Sequence, residues 1–393
     1  MVLVALASLV FAAQPVARVD LHAHLTMRRA AQPIFQGEPG HGAQAHAGWN
    51  VWTNQVDAQA LRAAGVKVVV VALWPPFRLR PGRSELEEAL AQLDQLRRFV
   101  RDQPDFALAL SVADLERIGR TDQIALVPSI EGGEGILVVE DVDRLYAAGA
   151  RALTLVHFTE NALGGAMRLP NGRVFGFPPD TSDWKGLSPL GEAVVRRMIS
   201  LGMVIDLAHA TEALAKQVLE ITEAAGVPVI LSHTQPWALA PFEPNVSDAL
   251  AARVAQGGGM IGMLAQVVWV GELAAEARGP GHVLGSCDDN LAQWLHFEEV
   301  AGPDAIALGS DFNGFVVRPA PGGACPQGLV TSRGLTDFFQ RLRARSRQPS
   351  AVDRSADAWR ALWRKVEAAS SESARREARR KRPEPRSLFD VPL

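Results

Sequence analysis

His22 and His24 stand one residue apart at the end of a short apolar run, "ARVDLHAH". Along an extended strand, residues i and i+2 point to one face, so the two imidazoles of an H-x-H pair can converge on one ion. Other chemistry-bearing residues have the same setting. Glu131 ends "QIALVPSIE", His157 ends "RALTLVH", His209 follows "GMVIDLA", His233 ends "VPVILSH" and Asp311 follows "DAIALGS". A glutamate offers two oxygens and can bridge two ions. His209 and His233, on successive runs, can grip a second one. A set of histidines and carboxylates suits zinc, with manganese, iron or cobalt as alternatives. Two such ions about 3.5–4 Å apart would share a hydroxide acidified by both, fit to attack a carbonyl or phosphoryl centre. Asp311 is suited to take the proton of that water and return it to the leaving group. His157 reads as a ligand's supporter or a substrate contact rather than a ligand.

Each residue also has a plain structural reading. A lone histidine at a strand end is commonly a satisfied polar residue. Asp311 in "GSDFNG" fits a turn or a helix cap, and "IEGG" fits a tight turn. The combination favours a metal site. Polar side chains gathered at buried strand ends need something to offset their lost hydration.

The elements that must position these residues are eight apolar runs. They cover 16–22, 66–74, 123–133, 151–158, 202–210, 227–233, 258–264 and 304–314. Wholly apolar short strands indicate burial on both faces, as in a parallel sheet. Most are preceded by helix-like stretches, and glycine before a strand, as in "AAGV" and "SLGM", suits a helix C-cap and a short turn. Eight βα units in one chain predict an α/β fold, a (β/α)8 TIM-type barrel with loop insertions, whose chemistry lies at the C-terminal strand ends. "DFALALS" (105–111) is expected in an insertion or irregular segment. No GxGxxG or Walker-type loop follows any run, which argues against nucleotide binding. Residues 160–186, rich in glycine and proline, read as a long loop beside the pocket.

The 393 residues carry 40 Lys and Arg against 43 Asp and Glu, a net charge of −3, which gives no reason to expect nucleic acid as a partner. Two cysteines, Cys287 and Cys325, form no disulfide framework or zinc ribbon, and whether they pair stays open. Residues 1–15 hold an apolar stretch of signal-peptide length, too short to span a bilayer, yet without a preceding Lys or Arg. Export to the periplasm or exterior, and residence in the cytoplasm with a buried N-terminal segment, both stay open. No later stretch reads as transmembrane. One hydrolase domain is expected over 16–368, followed by a basic, flexible tail over 369–393.

The sequence resembles the renal, or membrane, dipeptidases of the metal-dependent amidohydrolase superfamily. The matching stretches are "DLHAH", "SIEGG", "LTLVHFTENALG", "GLSPLGEAVVRRMISLGMVIDLAHAT", "VILSHTQP", "NVSDALAARVAQGGGMIGM" and "AGPDAIALGSDFNG", in the family's order over roughly residues 17–315. "GLTDFFQRL" matches more weakly. The resemblance implies a binuclear zinc metallohydrolase that cleaves the amide bond of dipeptides by attack of a metal-bridging hydroxide. It makes Glu131 the bridging carboxylate, His209 and His233 ligands of one zinc, and His22 a ligand of the other. It assigns His157 to the developing oxyanion and Asp311 to acid–base catalysis. It also implies a homodimer and a small-molecule substrate.

Two positions depart from the family pattern. His24 stands where an aspartate ligand is expected, so the site loses one negative charge. Pro244 stands where an arginine commonly holds the substrate's terminal carboxylate. Arg168 and Arg173, in the long loop, are the substitutes the sequence offers. These departures keep a second substrate class open, a lactone, cyclic amide or other small acyl compound, since H-x-H is the usual opening of the wider superfamily. A barrel serving only as a binding scaffold is the third reading. It is disfavoured because a scaffold needs none of Glu131, His157, His209, His233 or Asp311.

Overall fold

Nine parallel strands make up the sheet of the computed structural model, which describes residues 16–26, 54–75, 83–167, 186–240, 245–265, 287–314 and 328–381. They are β1 (Arg18–Ala23), β2 (Val66–Leu73), β3 (Phe106–Leu108), β4 (Ile124–Glu131), β5 (Ala152–Thr154), β6 (Val204–Asp206), β7 (Ile230–Thr234), β8 (Met260–Leu264) and β9 (Ile306–Gly309). The order is β2-β1-β9-β8-β7-β6-β5-β4-β3, and a further pairing of β2 with β4 closes the ring. Eight of the strands form the expected barrel. Each of the eight apolar runs overlaps one of them, and β1 and β7 extend one residue past their runs.

The ninth corrects one expectation. The run at 105–111, expected in an insertion or an irregular segment, is not irregular: Phe106–Leu108 forms β3, additional to the eight barrel strands, and pairs with Ile124–Leu126. β5 is only three residues long and pairs with Ser129–Glu131. The first half of that edge of β4 is therefore left to β3, and Phe106 buries itself there.

Helix boundaries follow local chemistry. Ser188 accepts a hydrogen bond from the Gly191 amide, with Pro189 in the first turn, and Gly202 ends the same helix at φ 72°, two residues before β6. A non-glycine residue would be strained there. Thr211 and Ser247 cap the helices Glu212–Ala224 and Asp248–Gln256 in the same manner. The helix Ser355–Ala368 lies at the N-terminal end of the barrel. Its buried Trp359 and Trp363 join Val19, Leu21, Val68, Val127 and Val204 in one apolar cluster. Each such side chain adds about 1.5–3 kcal/mol by leaving water. The opposite end is left for polar residues.

The tail is ordered further than expected. Residues Glu372–Arg380 form a helix that buries Ala374 and Ala378, and it packs on the helices Val139–Ala148 and Pro189–Leu201. Its amphipathic pattern, two alanines four apart among charged residues, hid the apolar stripe in the composition. Residues 382–393 and 1–15 lie outside the described residues. Among the described residues, no helix is long and apolar enough to cross a membrane.

Candidate metal centre

Glu131 is the hub of the site. It is the last residue of β4, and it and every histidine discussed below are buried. His22 Nε2 lies 3.3 Å from its Oε1, His209 Nε2 3.3 Å, His157 Nε2 3.4 Å and His233 Nε2 3.8 Å. His24 Nε2 meets the other oxygen, Oε2, at 3.2 Å. Asp311 Oδ1 approaches His24 Nε2 at 3.3 Å and His22 Nε2 at 3.8 Å. The structure thus brings together all seven residues expected from the strand ends. Arg168, Arg173 and Pro244 lie outside the described residues.

Two pairs of nitrogens face each other around Glu131. His22 Nε2 and His24 Nε2 are 3.3 Å apart, and His209 Nε2 and His233 Nε2 are 2.9 Å apart. Lone pairs held this close repel unless a proton or a cation lies between them. Three overlapping groups meet the spacing for ion binding: His22, His24 and Asp311; His22, Glu131 and His233; Glu131, His157 and His209. Imidazole nitrogens with carboxylate oxygens are a donor set for zinc and similar divalent cations. The residues fit such a metal.

Electrostatics agree with that reading. Burial works against charge on His24, yet the Glu131 and Asp311 carboxylates raise it to about 10. His22 is raised in the same way, against its burial, chiefly by Glu131. Glu131 falls well below the usual carboxylate range, because His22, His157 and His24 outweigh the burial that would raise it. His209 is pushed down to about 4 by burial and by His157. His233 is lowered by burial and by His22. The two carboxylates thus favour cationic charge on the His22–His24 side, whether carried by a proton or by a bound metal, and burial disfavours protonation on the His209–His233 side.

Backbone geometry shows where the site is strained. His209 has φ 63° and Asp311 φ 50°, in the left-handed region that non-glycine residues seldom occupy, at about 1–3 kcal/mol each. Two buried carboxylates hold these turns. Asp20 Oδ1 accepts from the amides of His22 (3.2 Å) and Ser310 (2.9 Å). Asp206 Oδ1 accepts from the amides of Ala208 (3.0 Å) and Ser232 (2.9 Å), and Asp206 Oδ2 accepts from Thr154 Oγ1 at 2.7 Å. Each therefore ties together the chain next to two site residues. The sequence reading missed both. The available signal was an aspartate two or three residues before the histidine, in "DLH" and "DLAH". Burial also raises Asp20, to about 6. Ser232, likewise missed, lies beside two of the histidine rings.

Residues 12–376 match the family model described as membrane dipeptidase, peptidase family M19. The chain belongs to the membrane dipeptidase family. A relative curated as an uncharacterized dipeptidase of Schizosaccharomyces pombe is 30% identical over 237 residues, 60% of this chain. The match spans about half (53%) of that relative's length. Solved structures share the membrane dipeptidase fold. A metallopeptidase from Rhodobacter sphaeroides, liganded with a phosphinate mimic of the dipeptide L-Ala-D-Ala, has a TM-score of 0.68 at 19% identity, covering 90% of this chain and all of the other. The probable dipeptidase PvdM from Pseudomonas aeruginosa has a TM-score of 0.67 at 19% identity, covering 91% of this chain and 96% of the other.

Proposed function

We propose that this member of the membrane dipeptidase family is a metal-dependent dipeptidase with two zinc ions. The observation that carries the proposal is the convergence of five imidazole Nε2 atoms on the two oxygens of Glu131, within 3.2–3.8 Å. In this reading His22 and His24 would hold one ion, His209 and His233 would hold the other, and Glu131 would serve both. Bound divalent cations polarise the amide carbonyl and acidify water. The side chains supply the rest. Asp311 takes the proton of the attacking water and gives it to the leaving amine. His157, beside Glu131 and packed against Phe158 and Trp74, donates from its ring to the oxyanion as the carbonyl carbon becomes tetrahedral. Arg168 or Arg173 takes the substrate's terminal carboxylate, since Pro244 cannot.

A second reading, a lactone or other acyl substrate in the same centre, draws support from the H-x-H pair and from Pro244. One experiment separates the two. Zinc-loaded protein is given L,L- and L,D-dipeptides beside lactones and N-acyl amino acids. Hydrolysis confined to dipeptides, with L-Ala-D-Ala as the first to try, supports the proposal. Turnover of lactones alone overturns it.

Location and assembly belong to the same proposal. Cys287 is disulfide-bonded, which favours an oxidising compartment and so the exported alternative over the cytoplasmic one. A homodimer follows from the resemblance only.

A further inference from the structure

Ser232 Oγ lies 3.2 Å from His22 Nδ1 and 2.9 Å from His233 Nδ1. The two rings stack beside it, with centroids 3.8 Å apart and planes inclined at 40°. They come from β1 and β7, and in the reading above they serve different ions. We propose that Ser232 is a positioning residue that orients one ligand of each metal subsite at once, so that removing its hydroxyl weakens both subsites together. The inference rests on the two-zinc reading.

Hydrogen-bond counting supports it. A ring whose Nε2 lone pair faces a cation carries its proton on Nδ1 and needs an acceptor there. A serine hydroxyl has two lone pairs, enough to accept from both rings. In that state both Nε2 atoms are free toward Glu131. If the hydroxyl instead donates to one Nδ1, that ring carries its proton on Nε2 and is lost as a ligand. Ser232 therefore selects tautomers at two positions with one atom. The other two ligands have no such support, since His24 Nδ1 and His209 Nδ1 lack a hydrogen-bond partner among the described residues.

The serine is itself fixed from several sides. It is buried at 1% exposure, and its amide donates to Asp206 Oδ1. Its carbonyl oxygen packs so close to β8 and β9 that a Cβ on Gly262 would stand 1.8 Å from it and one on Gly309 2.2 Å. A hydroxyl held this rigidly sets ring angle as well as tautomer.

The test compares zinc binding by wild type, Ser232→Ala and Ser232→Thr, in competition with a chromogenic chelator. Wild type should bind two equivalents. Ser232→Ala should lose affinity at both, by roughly 10–100-fold each. Ser232→Thr, which keeps the hydroxyl, should stay near wild type. Melting of the three metal-free proteins checks that the fold persists. A second measurement needs no variant. With labelled histidine, zinc-loaded wild type should show slowly exchanging Nδ1–H resonances for both His22 and His233. Loss at one equivalent only, no loss in Ser232→Ala, or an absent Nδ1–H on either ring overturns the inference. Wild type that binds no zinc overturns both this inference and the two-zinc reading. Normal wild-type binding with an unaffected Ser232→Ala overturns this inference alone.

Discussion

At the scale of single residues, Asp311 and His24 divide the chemistry. Asp311 is held at a left-handed turn with Oδ1 directed at His24. Asp311→Asn keeps the shape and removes the base. The expected result is a fall in kcat of about 10²–10⁴-fold, with zinc content and KM nearly unchanged. Steady-state kinetics with parallel metal analysis would check it, and retained kcat would remove Asp311 from proton transfer. His24 puts a neutral nitrogen donor where relatives are expected to have a carboxylate. Oxygen donors suit manganese better than imidazole does. His24→Asp should therefore shift retention from zinc toward manganese in a competition measured by elemental analysis. An unchanged metal ratio would mean that His24 does not contact the ion. These residues were legible in the sequence because a strand end is a short-range feature. H-x-H and a terminal histidine or carboxylate can be read from a few neighbours. Asp20, Asp206 and Ser232 were not, because their partners are amides and rings on other strands, and spacing along the chain carries no trace of those contacts.

At the scale of elements, the barrel's close approaches set the site. β7 reaches the centre only because β8 and β9 present Gly262 and Gly309 to the Ser232 carbonyl. Neither lies in the left-handed region, so the requirement is space rather than backbone angle. Gly262→Ala forces backbone to move and should cost about 1–3 kcal/mol of stability. It should also weaken zinc binding, since it displaces the chain that carries His233. Denaturant unfolding of the metal-free protein and a chelator titration measure the two effects. Stability and affinity both equal to wild type would show that the contact relaxes freely. The eight barrel strands were legible from their unbroken apolar runs. β3 was hidden because its place depends on the shortness of β5, a fact of pairing rather than of local pattern.

At the scale of the whole molecule, the C-terminal helix clasps the barrel through Asp143. That buried carboxylate receives Arg197 Nε at 2.7 Å and Nη2 at 3.1 Å, together with Lys381 Nζ at 2.7 Å. Burial would raise its pKa, but the hydrogen bonds from Arg197 and Lys381 win and lower it. A carboxyl with a lowered folded pKa contributes stability above its unfolded value, near about 4, and loses it as pH falls through the folded one. Asp143→Asn should thus cost about 1–3 kcal/mol at pH 7, with the gap to wild type closing in the acid range below about pH 4. Unfolding curves at several pH values test this, and a gap that widened on acidification would contradict it. Composition alone described this region as a basic tail. Its two buried alanines become meaningful only against the helices they cover.

The most direct test of the account is dipeptide hydrolysis by one preparation before chelation, after chelation, and after zinc is restored. The account predicts hydrolysis at about two zinc ions per chain, loss of activity with the metal, and recovery on its return. Undiminished hydrolysis in the chelated protein, or none in the zinc-loaded one, would contradict it.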